Sequence, residues 1–177
     1  MAKDIGTLYV TLWDTNSDSV TETILYNSDK DASSTAVWTT ELLDVQSAAA
    51  GINFKLAFKA LSLKSISTLP FVVDDIEAVP CSQVGLTTSL PSTVTIPTTP
   101  GKPQSPITCD FDQSYQTCGY TKKDSANGNF KWLPGDKNTQ SILIDRPQSG
   151  MFMYAQLKDS RGQQAILTSP TNPKSFP

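Results

Sequence analysis

The chain has 177 residues, a net charge of −3 and no histidine. Its length suits one domain or a little more, and its near-balanced charge offers no basic patch for nucleic acid or an anionic membrane. Without histidine the commonest general base, the Ser-His and Cys-His nucleophile pairs and the usual catalytic zinc ligands are all missing, so the chain reads as non-enzymatic.

Met1-Ala2-Lys3-Asp4 shows neither the charged head nor the apolar core of a signal peptide, so an extracellular chain of this sequence reads as a fragment. Leu8, Val10 and Leu12 alternate with Tyr9, Thr11 and Trp13, the period of a strand with one buried face. Residues 14–19 and 27–34 are rich in Asp, Asn and Ser, which bond to their own backbone and favour turns. Residues 36–45 and 71–79 read as β-branched or aromatic strand runs. A helix-permissive stretch near 44–50 stops at Gly51 and is too short to hold alone, so it reads as a loop or a single turn.

Residues 52–60 give the clearest strand, with Ile52, Phe54, Leu56 and Phe58 on one buried face. No apolar run reaches the roughly 20 residues of a membrane-spanning helix, so no direct membrane insertion is expected. Residues 82–108 are dominated by Thr, Ser and Pro, lack the apolar surface to order themselves, and read as a linker that in a secreted protein is a candidate for O-glycosylation. There is no Asn-x-Ser/Thr sequon and no Gly-rich phosphate loop.

Beyond the linker stand Cys109-Asp110-Phe111-Asp112 and, nine residues after the first cysteine, Cys118-Gly119-Tyr120. Short strands follow at 141–145, 150–157 and 164–168, with Asn127-Gly128 as a tight hairpin turn and Ser160-Arg161-Gly162 as a looser one. The three cysteines fit no paired C-x-x-C zinc pattern; a short pair with a remote Cys81 resembles a secreted disulfide framework that has lost a member. Trp38 and Trp132 read as core, whereas Trp13, beside Asp14 at a strand end, is the more exposed.

These motifs resemble the MAM domain family, named for meprin, a neuropilin-type protein and receptor protein tyrosine phosphatase mu. The family's head is matched by Cys109-Asp110-Phe111-Asp112, Cys118-Gly119-Tyr120, Phe130 and Trp132, Gly150-Met151-Phe152-Met153-Tyr154, and residues 164–170. Its tail is matched by residues 5–10, Trp38, residues 54–60, Val73-Asp74-Asp75-Ile76 and Cys81. Asp112 stands where the family usually has Glu, and Tyr120 where it often has Trp. The chain stops at Pro177, before the family's third cysteine and the aromatic strand that follows it.

The resemblance divides the chain into residues 1–81, the C-terminal part of one MAM-like domain; residues 82–108, the linker; and residues 109–177, the N-terminal part of a second. It implies an all-β fold of jelly-roll β-sandwich halves. Two arrangements are open: a piece cut from tandem domains, or two halves paired within the chain as one circularly permuted sandwich, which a flexible linker spanning about 30 Å permits. Neither half buries enough surface to be stable alone.

The resemblance also implies a disulfide between Cys109 and Cys118 and leaves Cys81 unpaired. Asp110 and Asp112, two apart on a strand and flanking Phe111, together with Asp74 and Asp75 form a candidate set of carboxylates for a structural calcium or sodium ion; no cofactor is required. The function implied is that of an extracellular or cell-surface recognition and adhesion module, homophilic or bound to another extracellular protein. The alternative is an accessory interaction domain of a secreted or membrane-bound protease or receptor enzyme whose catalytic domain lies elsewhere.

Overall fold

A computed structural model of the chain describes residues 6–16, 21–31, 40–45, 51–62, 71–78, 105–112, 117–136, 138–139, 150–157 and 162–173. Eight strands and one helical turn occur among them: β1 (Thr7–Asp14), β2 (Glu22–Asn27), α1 (Ser28–Asp31), β3 (Phe54–Leu61), β4 (Phe71–Val73), β5 (Thr121–Lys123), β6 (Phe130–Asp136), β7 (Met151–Leu157) and β8 (Gln164–Thr168). They form a β-sandwich of two antiparallel sheets, one in the order β2-β1-β3-β8-β5 and the other β4-β7-β6.

Both sheets are assembled from both sides of the Thr/Pro stretch. In the larger sheet β3 lies between β1 and β8, with Val10 opposite Phe58 and Phe58 opposite Leu167. In the smaller, Phe71, Val72 and Val73 of β4 pair with Ala155, Tyr154 and Met153 of β7. Residues on the two sides of that stretch thus pair within the chain in one sandwich.

The core follows the alternation of the strands. Val10 and Leu12 of β1, Phe54, Leu56, Phe58 and Ala60 of β3, and Ala165 and Leu167 of β8 pack against Phe130 and Trp132 of β6 and Met153 and Ala155 of β7. Each of the larger aliphatic and phenylalanine side chains among them contributes about 1.5–3 kcal/mol through removal of apolar surface from water. The Trp132 indole N–H donates to the Ala165 carbonyl at 3.3 Å, so a buried polar atom finds its partner in the opposite sheet.

Several local expectations need correction. Residues 40–45 form no ladder; Leu43 and Val45 are partly buried against the core while Leu42 is exposed. Among the described residues of the 71–79 run, only Phe71–Val73 form a strand. Asn127-Gly128 does make a tight turn, with Gly128 N–H bonded to the Ser125 carbonyl, but β5 and β6 on either side belong to different sheets. The turn is a corner rather than a hairpin, and Ser125 fastens it by accepting the Phe130 N–H at its hydroxyl.

The last residues of the stretch read as linker also belong to the fold. Ser105 and Ile107 are buried, and Ser105 donates its hydroxyl to Asn172 at 2.8 Å. The expected strand at 141–145, the remaining linker, Trp38 and Cys81 lie outside the described residues.

Candidate functional site

The head motif occupies a corner where the two segments meet. Ile76 and Cys109 form an isolated antiparallel bridge, each N–H donating to the other's carbonyl at 2.8 Å. That bridge brings Asp74-Asp75 alongside Asp110-Phe111, so the two acidic motifs, far apart in sequence, run past each other. A disulfide joins Cys109 to Cys118 with their Cα atoms 5.8 Å apart. By the chain-entropy account, closing this short loop stabilises the fold by roughly 2.5–3 kcal/mol.

Among the described residues, the non-glycine positions with left-handed backbone are Asp75 (φ 47°), Phe111 (φ 53°) and Cys118 (φ 48°), and all three lie in this corner. Such conformations are unfavourable for L-residues and persist only where their surroundings hold them. At Phe111 the surroundings are evident. Its ring is buried and meets Tyr120 edge-on with centroids 5.5 Å apart, while Tyr120 lies 6.4 Å from Phe58 of β3. Tyr120 donates its hydroxyl to the Ile107 carbonyl at 2.6 Å, and burial pushes the phenol well above the ordinary tyrosine range.

The left-handed turn at Phe111 corrects the expectation of a strand through Asp110 and Asp112. Both carboxylates are still on the outer side and Phe111 on the inner, but the segment is a turn. Asp110 Oδ1 accepts the Asp112 N–H at 3.2 Å, the geometry by which aspartate stabilises its own turn. Asp112 Oδ1 accepts the Met151 N–H at 3.1 Å and presses against Gly150, where any Cβ would collide with it. This pairing between the head motif and the start of β7 is not legible in the sequence, since nothing local to Asp112 points to a residue 39 positions away.

Among the described residues no group of three or more acidic, cysteine or histidine side chains gathers closely enough to hold a metal ion, and Asp110 and Asp112 are each committed to a backbone amide. Asp75 is exposed and Asp74 half-buried beside the bridge.

The outward face of the larger sheet carries a second group of polar and aromatic residues. Trp13 stands opposite Glu22 on β2 and Lys55 on β3, while Tyr9 stands opposite Lys59. Lys59 Nζ and Glu22 Oε1 form an ion pair at 2.7 Å. Partial burial pushes the Glu22 carboxyl up, but Lys59, Thr11 and Trp13 around it prevail and hold it below the usual glutamate range. Trp13 is half-buried, more covered than its strand-end position suggested, and Trp132 is core as expected.

No protein-family model, curated protein or solved structure matches the chain. No helix among the described residues is long and apolar enough to cross a membrane, and the disulfide is consistent with an oxidising compartment outside the cell.

Proposed function

We propose that this chain is a non-catalytic extracellular recognition module of MAM type, working through contact with another protein at the cell surface. The observation that supports this best is the assembly of the head motif with motif residues of both segments. Cys109 is bonded to Cys118, Phe111 packs on Tyr120, Asp112 caps the strand that begins at Met151, and Ile76 of the tail motif pairs with Cys109. Residues far apart in sequence, picked out by one resemblance, thus form a single structural corner.

A recognition module needs a rigid scaffold and exposed side chains, not a reacting centre. The sandwich supplies the first, and the outward face presents half-buried Tyr9 and Trp13, aromatics of the kind enriched in protein contacts, beside the half-buried Lys55 and Lys59. Either a second copy of the module or another extracellular protein would be the partner.

The deciding experiment couples the purified chain to beads and measures bead aggregation, and separately measures binding of the soluble chain to a panel of cell surfaces. Aggregation or saturable binding that is lost on heat unfolding supports the reading. A folded chain that neither aggregates beads nor binds any surface in the panel contradicts it.

A further inference from the structure

We infer that the seam between residues 6–78 and residues 105–173 is an exchange interface, whose alternative occupant is the 105–173 segment of a second copy of this chain. The result would be a dimer of two sandwiches, each completed by the partner's second segment.

The first support is the way the seam is held. Its ladders join β3 to β8 over Ala57–Leu61 and Gln164–Thr168, and β4 to β7 over Phe71–Val73 and Met153–Ala155. Short bridges at Ile76–Cys109 and Phe54–Asn172 add to it, as do hydrogen bonds of Ser62 with Gln163 and Gly162, with Ser169 Oγ accepting the Leu56 N–H at 2.9 Å. All of these are non-covalent. The Cys109–Cys118 disulfide is internal to one segment and the Lys59–Glu22 ion pair to the other, so neither fastens the two together.

The second support is what separation exposes. Leu56, Phe58 and Ala60 on one segment, and Phe111, Tyr120, Phe130, Trp132 and Leu167 on the other, form one buried cluster. Apart, each segment would present that apolar surface together with an unpaired edge of β3 or of β8. Such surfaces re-pair readily, and the only sequence built to match them is the complementary segment of the same chain.

The third support is the length of the connection. The described residues on either side of 79–104 are neighbours, since the Ala78 N–H donates to Thr108 Oγ1 at 3.3 Å beside the Ile76–Cys109 bridge. A turn of about four residues would close that gap, whereas about 26 residues intervene between Ala78 and Ser105. By the loop-closure law the surplus weakens the advantage of pairing within one chain by roughly fifteenfold. The effective concentration of a tethered segment is in the millimolar range, so the closed monomer dominates in dilute solution. Exchange is favoured when chains fold while crowded or are held side by side. Once formed, the dimer persists, because reverting requires both sheets to open.

The test is refolding of the full-length chain from denaturant over a range of about 1 µM to about 1 mM. The reporter is Leu61→Cys with Gln164→Cys in a Cys81→Ser background, because residues 61 and 164 face each other across the seam. A swapped dimer, isolated by size and oxidised, runs as a covalent dimer on a denaturing gel, whereas the monomer fraction closes on itself and runs as a monomer. The dimer fraction should rise with refolding concentration, and fall roughly fifteenfold at a given low concentration when residues 79–104 are replaced by a four-residue turn. A chain that is monomeric at every concentration overturns the inference. So does a dimer whose engineered bridges all lie within single chains, which would mark it as a contact between intact sandwiches.

Discussion

At the scale of single residues, the contact of Asp112 with Gly150 sets the most exacting requirement. Gly150 has φ +100°, a conformation that L side chains rarely adopt, and a Cβ there would displace the carboxylate that caps Met151. Gly150→Ala is therefore expected to cost about 2–4 kcal/mol in denaturant unfolding. Gly128→Ala, at φ +70° with open space around it, should cost only about 1 kcal/mol, the price of the backbone conformation alone. Equal effects would show that the Asp112 contact contributes nothing. Tyr120 allows a test by pH. Its raised folded-state value means that its stabilising effect is intact below the unfolded phenol's titration near pH ~10 and is lost as pH climbs above it. Tyr120→Phe should cost about 1–3 kcal/mol at neutral pH, since the Ile107 carbonyl loses its donor, and should flatten the fall in stability above pH ~10. An unchanged alkaline slope would place the tyrosine's ionisation outside the folding equilibrium.

At the scale of elements, periodicity was informative where a strand has one face in the core. In β3 the alternation of Phe54, Leu56 and Phe58 with Lys55, Ala57 and Lys59 separates the core face from the outer one. It failed at Asp110 to Asp112, where alternating burial comes from a left-handed turn instead of a pleat. Residues 40–45 show the same limit: Leu43 and Val45 pack on the core without a ladder partner, and composition alone does not distinguish that from a strand. The Asn127-Gly128 turn was legible, but the sheet to which each flanking strand belongs depends on contacts with distant strands. A prediction at this level concerns β8 and the edge strand β2. Leu167, fully buried between β3 and β5, should cost about 2–5 kcal/mol when changed to Ala. Ile24, 60% exposed on β2, should tolerate Ile24→Lys within about 0.5 kcal/mol. Thermal or chemical unfolding of the two variants in parallel checks the contrast, and a large loss at Ile24 would show that this edge is covered.

At the scale of the whole molecule, neither segment is a folding unit, since the core is drawn from both and each sheet is incomplete without the other. A protease site introduced into residues 79–104 and cleaved after folding should therefore leave two fragments that elute together with unchanged circular dichroism, and that separate only in denaturant. Fragments that part in buffer would show that the seam depends on the covalent connection. The sequence pointed to two all-β segments and a linker between them, and it left their pairing open, because strand partners are chosen by side-chain fit over long separations and not by local pattern.

The hydrogen bond from Trp132 to Ala165 gives the protein an optical gauge of its own integrity. The indole is 1% exposed and tied to a carbonyl of the facing sheet, so its emission should be blue and should redden when the layers part. Trp13 is half-buried on the outward face, so its emission should shift when that surface is covered. In a Trp38→Phe background, with Trp132→Phe and Trp13→Phe to assign each component, one fluorescence spectrum separates loosening of the interior from events at the surface.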